Sequence, residues 1–452
     1  MKANTDTIAA IATPPGRGGV GVVRISGKNL TNLAEAILGK LPKPRYASLS
    51  NFLDSAGQII DQGIALYFPA PHSYTGEDVL ELQGHGGPVI MHLLLNRCLS
   101  LGARLAQPGE FTLRAFLNNK IDLVQAESVA DLIEANTEEA ARCAANSLQG
   151  YFSVRIETLV QMLIALRVLV EATLDFPEDE IDHLYVSQIT DQLDQIHLQL
   201  DQIFQVAQQG HLFQRGIKIA LAGAPNVGKS SLLNQLVEEE AAIVTDIPGT
   251  TRDTIERVIA IAGVPIHIID TAGLRETGDA VELKGIERAR AAIETADLVL
   301  CLFDVKQPDS GAIDLIRSHI PVNKPQLAIF NKIDLTGESP RIENEETSCT
   351  IYLSAKTGAG IELLRQKILD IAGWRLNQAG GGIVMARQRH LEALTRVKEH
   401  LLSARLLIQN GYQLELLAEE LRFAQLSLSS ITGQFSADDL LGEIFSHFCI
   451  GK

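Results

Sequence analysis

The chain has 452 residues, of which 46% are hydrophobic, and this is enough for roughly two to four domains with ordinary cores. Its net charge of −16 argues against a general nucleic-acid binder, because affinity for phosphate backbones depends on clustered Lys and Arg. Any contact with RNA should therefore be local or made largely through a partner. The five cysteines contain no CxxC pair, which argues against a disulfide framework or a zinc site.

Residues 1–118 are predicted to form an α+β domain. Apolar runs at 20–25, 64–68 and 79–82 indicate short strands separated by turns rich in Gly and Pro. Gly16–Gly21 matches the dinucleotide fingerprint GxGxxG, but it follows two prolines and leads into a strand, so we do not interpret it as a dinucleotide site. Residues 1–16 carry only a short apolar stretch, so we expect neither a secretory signal nor a membrane span, and a cytoplasmic location.

Helical segments follow on both sides of the centre of the chain. Apolar spacing predicts helices over 121–174 and 186–206, and again over 383–450. Neither flank makes a convincing domain alone, so the simplest arrangement is one discontinuous α-helical domain formed by 119–213 and 380–452. Gln209-Gly210 and the segment 378–382 are interpreted as the linkers to an inserted domain, 214–379.

A phosphate-binding loop is predicted at 223–230, where GAPNVGKS stands between an apolar run and an amphipathic stretch. Gly223 and Gly228 permit a tight curl that points backbone N–H groups at a phosphate, and Lys229 can reach the β and γ phosphates. Ser230 supplies a hydroxyl for Mg²⁺. A chance match is the alternative for this loop alone.

Three further motifs follow in order, each after a predicted strand. Asp270 opens DTAG and suits a carboxylate that holds Mg²⁺ through water. Asp334 of NKID can accept hydrogen bonds from the guanine ring N–H and amine, a donor pair that adenine lacks, and Ser354-Ala355-Lys356 closes the base pocket. Together the motifs predict a Ras-like α/β P-loop GTPase domain. An ATPase or a degenerate nucleotide fold is the alternative to the GTPase interpretation of all four motifs. The residues predicted to bind GTP are Asn226, Val227, Gly228, Lys229, Ser230, Ser231, Thr245, Thr250, Thr251, Asp270, Thr271, Ala272, Gly273, Asn331, Lys332, Asp334, Ser354, Ala355 and Lys356.

The position after DTAG is Leu274, where Ras-like enzymes carry the Gln that orients the attacking water. An apolar side chain cannot position water, so hydrolysis is slow or another group takes over. The local candidates are Arg252, Arg275, Glu276 and Glu282. Thr251 is the natural second hydroxyl for Mg²⁺, and the Asn226 amide oxygen suits a monovalent cation as well as simple loop hydrogen bonding.

Six segments resemble the bacterial tRNA-modification GTPases of the MnmE/TrmE family, and the resemblance covers essentially the whole chain. They are TPPGRGGVGVVRISG near the start, GEDVLELQGHGGP at 76–88, PGEFTLRAFLNNKIDLVQAE at 108–127, IPGTTRD at 247–253, DTAGLRE at 270–276 and DDLLGEIFSHFCIGK at the end. The resemblance implies a GTPase that, with an FAD-dependent partner, adds a carboxymethylaminomethyl or aminomethyl group to carbon 5 of the wobble uridine in certain tRNAs.

The resemblance also implies roles for particular residues. The N-terminal domain would form a homodimer and bind a formyl-tetrahydrofolate-type one-carbon donor through Arg24, Glu81, Lys120 and Lys452. K⁺ would be held by Asn226 and the backbone around Thr245, Ile247 and Thr250, while Glu282 would orient the water. Cys449 would take part in the modification reaction, with a buried structural cysteine as the alternative. A ribosome-assembly GTPase that binds rRNA is the alternative function, and it predicts a basic RNA-binding appendage that this acidic chain does not display.

Overall fold

The computed structural model describes residues 6–175, 183–224, 226–238, 256–270, 291–306, 320–321, 324–344, 349–374, 382–410 and 413–434, together with 444, 448 and 451. The chain forms two compact units. The first comprises residues 1–130, 156–164 and 421–452, and the second comprises 131–155 and 165–420. The chain is therefore multidomain, as expected, and each of its two units is formed by segments that are separated in the sequence.

The first unit contains a six-stranded sheet with the spatial order β3-β4-β5-β2-β1-β6. Its neighbouring strands are antiparallel except for β1 and β6, which run parallel. The three strands predicted from apolar runs are confirmed as β2, β4 and β5, whereas the other three were not predicted. The strands are β1 (Ile8–Ile11), β2 (Gly18–Gly27), β3 (Ser48–Leu53), β4 (Ile59–Phe68), β5 (Asp78–Gly86) and β6 (Arg104–Leu105).

Three helices accompany this sheet: α1 (Thr31–Leu38), α2 (Pro88–Ser100) and α3 (Glu110–Leu117). Alternate strand residues such as Phe52, Leu80 and Ile25 are fully buried with the apolar faces of α1 and α2. Because strand side chains alternate between faces, the other row on β2 and β5 points away from this core and carries the polar residues of the sheet. Arg24 and Glu81 belong to that second row.

Arg114 on α3 is the centre of a buried ionic cluster. Its guanidinium lies 2.8 Å from Glu77, 3.1 Å from Glu110 and 3.0 Å from Asp6, and it is only 5% exposed. Arg104 adds contacts of 2.5 Å to both Asp6 and Glu110. Hydrogen bonding from Arg104 holds the pKa of Asp6 below its ordinary value. The cluster ties the start of the chain, β6 and α3 together.

The helical segments predicted on both flanks are confirmed within the described residues, whereas most of the predicted segment after residue 434 lies outside them. Upstream of the phosphate loop the long helices α6 and α7 are separated only by a segment outside the described residues. None of the described helices is both long and apolar enough to cross a bilayer. The helices are α4 (Leu123–Glu134), α5 (Glu138–Leu148), α6 (Tyr151–Asp175), α7 (His183–Arg215), α8 (Lys229–Glu238), α9 (Ile361–Ile371), α10 (Gln388–Gln409) and α11 (Leu414–Thr432).

The interpretation of Gln209-Gly210 as a linker is wrong. Both residues lie inside α7 and are buried, and a Cβ on Gly210 would stand only 1.8 Å from the Val384 carbonyl oxygen. The Gln209 side chain donates to the Gly373 carbonyl at 2.9 Å. The glycine therefore permits close approach of two backbones rather than a flexible connection. The second predicted linker, 378–382, lies outside the described residues except for Gly382.

The second unit contains a seven-stranded sheet with the order β12-β13-β11-β10-β7-β9-β8. Its five central strands are parallel, and the two edge strands are antiparallel to their neighbours. The predicted parallel strands are confirmed as β7, β9, β11 and β13, so their carboxyl ends share one edge. The strands are β7 (Ile217–Gly223), β8 (Glu256–Ile261), β9 (Val264–Asp270), β10 (Leu298–Asp304), β11 (Gln326–Asn331), β12 (Arg341–Asn344) and β13 (Cys349–Tyr352).

Candidate functional site

The phosphate loop joins the end of β7 to the start of α8. Gly228 has φ +101°, and a Cβ at this position would stand 2.2 Å from the Asn331 side-chain nitrogen, so only glycine fits here. Lys229 is 7% exposed, and its ammonium donates to the carbonyls of Gly223 at 2.6 Å and Ala224 at 2.8 Å. The Lys229 ammonium therefore lies against the loop's own backbone, whose N–H groups are predicted to bind phosphates.

Asn331 connects the separate motifs at the carboxyl edge of the sheet. Its side chain is almost fully buried, and its amide nitrogen donates to the Val227 carbonyl at 2.8 Å. Its amide oxygen accepts from the backbone N–H groups of Lys332 and Ala355, each at 2.8 Å. One amide therefore fixes the phosphate loop, the NKID segment and the SAK segment relative to one another, through both lone pairs of its oxygen and one of its two N–H donors.

Asp334 and Ser354 form the next contact around this edge. The Ser354 hydroxyl donates to Asp334 at 2.6 Å, and the Thr357 N–H donates back to that hydroxyl at 3.3 Å. Asp334 lies in a short 3₁₀ turn, Ile333–Leu335, that follows β11 directly. A carboxylate fixed in this way can accept hydrogen bonds from a donor pair on a ligand. The neighbouring Ala355 is 3% exposed, whereas Lys356 is exposed.

Asp304 is a site residue that the sequence motifs did not reveal. It ends β10, and its carboxylate lies 2.7 Å from the Lys332 ammonium. The hydrogen bond from Lys332 is the main reason that the pKa of Asp304 lies below its ordinary value. The signal available in the sequence was its position: Asp304 follows an apolar strand, as Asp270 and Asn331 do, but no motif marks it.

The structure places the remaining described residues of the nucleotide motifs around the same edge. Asn226 is exposed and has φ +62°, and Ser230 and Ser231 are exposed on the first turn of α8. Asp270 ends β9, whose backbone pairs with Leu221 of β7, next to the phosphate loop. Several predicted residues lie outside the described part of the chain: Thr245, Ile247, Thr250, Thr251, Thr271, Ala272, Gly273, Leu274 and Glu282, and the alternatives Arg252, Arg275 and Glu276.

A second candidate site lies on the sheet of the first unit. Arg24 and Glu81 face each other on β2 and β5, with a contact of 2.9 Å between guanidinium and carboxylate. The guanidinium lies 5.5 Å from the ring centroid of Tyr74 and 5.8 Å from that of Phe111. It also donates to the Gly451 carbonyl at 3.4 Å. The backbone of Gly451 is therefore held against this cation, and about a fifth of the Arg24 side chain is exposed.

Lys120, predicted for the same site, is exposed and packs its stem against Gly76, where a Cβ would stand 3.2 Å from the lysine Cγ. The structure thus brings Arg24, Glu81 and the backbone of Gly451 together. Lys452 and Cys449 lie outside the described residues. Around these positions the arrangement offers the cations Arg24 and Lys120, the Glu81 carboxylate and the partly exposed Tyr74 ring, whereas Phe111 is fully buried. Cations beside an aromatic ring suit a ligand with acidic groups.

Two protein-family domain models match the sequence: the MnmE helical domain over residues 123–449, and the N-terminus of the GTP-binding protein TrmE over residues 7–120. The "tRNA modification GTPase MnmE" of Nitrosomonas europaea is 63% identical over 449 residues, which are 99% of this chain and 100% of that protein. The protein of the same name from Nitrosospira multiformis is 59% identical over 450 residues, 99% of each. A crystal structure of Aquifex aeolicus Era with GDP and AlF₄⁻ matches at 26% identity over 41% of this chain and 66% of that one, with a TM-score of 0.27. The two family models cover the nucleotide motifs and, of the second site, Arg24, Glu81 and Lys120, but not Gly451.

Proposed function

The chain belongs to the family of the tRNA modification GTPase MnmE, and from that premise we propose that it hydrolyses GTP and uses this activity in tRNA modification. The observation that carries the proposal is the buried Asn331 amide, which holds the phosphate loop and the Asp334–Ser354 pair at one sheet edge. Such an edge, at the carboxyl ends of parallel strands, is where α/β folds bind nucleotides. Asp334 supports guanine over adenine because it can accept from two guanine donors.

The modification itself is the addition of a carboxymethylaminomethyl or aminomethyl group to carbon 5 of the wobble uridine, carried out with an FAD-dependent partner. The net charge of −16 supports the view that tRNA is bound largely through that partner, because acidic residues outnumber the Lys and Arg that would contact phosphates. The names of the relatives favour this function over the ribosome-assembly alternative.

Mg²⁺ and K⁺ are the ions of the hydrolysis site. The exposed Ser230 hydroxyl at the start of α8 fits a Mg²⁺ ligand, with Thr251 as the second, and Asp270 holds the ion through water. The exposed Asn226 amide fits K⁺ together with the backbone of Thr245, Ile247 and Thr250. These cations supply positive charge beside the phosphates. Lys229 binds the phosphates, and Glu282 orients the attacking water in place of the missing Gln.

The N-terminal sheet binds the one-carbon donor, a formyl-tetrahydrofolate-type molecule, and forms the homodimer. Support comes from Arg24, whose guanidinium lies beside Tyr74 and Phe111 and is held by Glu81. Lys120 and Lys452 add cations for the acidic end of the ligand, and Cys449 takes part in the modification. We assign residues 1–118 to this domain, 119–213 and 380–452 to the helical domain, and 214–379 to the GTPase domain.

The test is mass analysis of wobble uridines in tRNA from cells that lack the gene, with complementation by the wild-type copy or by Asp334→Ala. We expect the 5-substituent to disappear without the gene and to return with the wild-type copy only. Asp334→Ala should fail because the base pocket loses its carboxylate, while Glu338→Ala, an exposed carboxylate on the same segment, should restore the substituent. Unchanged uridines in the deletion strain would overturn the proposal.

A further inference from the structure

Asp304 is held rigidly at the carboxyl edge of the second sheet. One carboxylate oxygen accepts from the Lys332 ammonium at 2.7 Å, and the other accepts from the Lys306 backbone N–H at 2.9 Å. Its own position is fixed by β10, where it pairs in register with Asn331, and the next N–H, of Val305, donates to the Asn331 carbonyl at 3.0 Å. Both oxygens are therefore committed, and the carboxylate cannot turn without losing a bond.

Lys332 is fixed at both of its ends. Its backbone has φ +73°, an uncommon conformation for a residue with a side chain, and its N–H is held by the Asn331 amide oxygen at 2.8 Å. Its ammonium is held by Asp304, so the methylene stem is stretched between two anchors, with about a third of the side chain exposed. A lysine anchored by its head presents its apolar stem as a contact surface.

Lys229, the other lysine of the nucleotide site, shows why it matters that Asp304 fixes the Lys332 ammonium. Lys229 already holds its charge inside the phosphate loop through two carbonyls. An unanchored Lys332 ammonium, with three donors on a flexible stem, would be free to turn toward the phosphates or the solvent and would withdraw its stem from the base pocket. Asp304 prevents this by accepting from the Lys332 ammonium, and the same hydrogen bond lowers the pKa of Asp304.

We propose that Asp304 is a positioning residue for guanine-nucleotide binding: it acts through Lys332, whose stem it fixes as one wall of the base pocket between Asn331 and Asp334. This inference rests on the proposed GTPase function, because it needs a guanine nucleotide at this edge. It adds a residue to the site that the sequence motifs leave unmarked. The carboxylate touches Lys332 and not the nucleotide.

A double-mutant cycle on the full chain tests the proposal, with GDP and GTP affinities measured by equilibrium titration. Asp304→Asn should weaken GDP binding about fivefold, and Lys332→Met by about the same factor or more, since partly exposed ion pairs have modest energies. The combined variant should bind within about twofold of Lys332→Met alone, because Asp304 acts only through that lysine. In GTP hydrolysis, Asp304→Asn should raise KM and leave kcat unchanged.

The control is Asp297→Asn, which removes a carboxylate paired with Arg215 at 2.6 Å on β7's opposite, amino-terminal side. It should bind GDP like the wild type. Unchanged GDP affinity in Asp304→Asn, or a combined loss equal to the product of the two single losses, would overturn the inference. A wild-type chain that does not bind GDP at all would instead refute the proposed function, so the two failures are distinguishable.

Discussion

Arg114 is a buried cation that three carboxylates share. It is 5% exposed, and Glu77 and Glu110 beside it are 8% and 7% exposed. Burial alone would raise the pKa of Glu110, but hydrogen bonds from Arg104, the Gln107 N–H and Arg114 outweigh it and lower the pKa. Because charged groups are costly to bury, such a cluster persists only while every member is paired. Its worth to the fold is best seen by removing one charge.

Replacing Arg114 by Leu should lower the free energy of unfolding by about 3–5 kcal/mol, because it leaves Glu77 and Glu110 buried without their shared cation. In the wild type, the lowered pKa values of Asp6 and Glu110 contribute stability that is fully present when the pH is above their ordinary pKa values of about 4–4.5. This contribution is lost as the pH falls through the lowered pKa values. Arg114→Leu should reduce that acid-side loss in part, because Arg104, the larger cause of both lowered pKa values, is still present. Urea unfolding at several pH values measures both effects. Arg142→Leu, which removes an exposed arginine, should change stability by no more than about 0.5 kcal/mol; an equally small effect of Arg114→Leu would contradict the argument.

At the scale of elements, Gly210 shows how a glycine inside a helix can serve contact instead of flexibility. Residues 383–385 pass close against α7, where Val384 approaches Gly210. The Met385 N–H donates to the Cys143 carbonyl, and the Asn146 side chain donates to the Ile383 carbonyl. The segment is thus bonded to both α5 and α7. The glycine is what allows its backbone to approach so closely.

Gly210→Ala should therefore destabilise the protein, although the same change in an ordinary helix interior adds up to about 1 kcal/mol of stability. The new methyl group would overlap the Val384 carbonyl, and displacing that segment should cost about 1–3 kcal/mol. Chemical unfolding provides the measurement. The control is Gln208→Ala, at an exposed position of the same helix. A Gly210→Ala protein that is more stable than the wild type would mean that the segment moves aside without cost.

Gly210 also shows a limit of structure prediction from sequence patterns. Four of the five parallel strands of the second sheet follow from apolar runs that each lead into a polar motif, whereas β10 ends in Asp304 without one. The convergence of Asn331, Asp334 and Ser354 follows from the carboxyl-edge rule. Gly210 was misinterpreted because glycine also punctuates loops, and its real partner, Val384, is distant in sequence. Asp304 was missed for the same reason, since its partner Lys332 is reached only through strand pairing. β1 and β3 were missed because neither is a long apolar run.

For the whole molecule, the proposed function makes GTP hydrolysis depend on K⁺ and on the homodimer, because Leu274 stands where Ras-like enzymes carry the water-orienting Gln. In the proposed hydrolysis site, Asn226 would hold K⁺, and we expect the GTPase domains of the two copies in the proposed homodimer to meet beside it. If a second copy completes each site, the monomer has an incomplete site, so the rate of GTP hydrolysis should depend on protein concentration. A cation that offsets phosphate charge should be replaceable only by ions of similar size.

The specific rate of GTP hydrolysis should therefore rise with protein concentration in KCl and stay on the order of tenfold lower in NaCl at matched ionic strength. Asn226→Ala should remove the difference between the salts while GDP still binds, because Lys229 and Asn331 keep the phosphate loop formed. Asn234→Ala, exposed on α8, is the matched control and should keep the K⁺ response. Equal rates in KCl and NaCl would mean that a cationic group within the chain, such as Arg252 or Arg275, does the work assigned to K⁺.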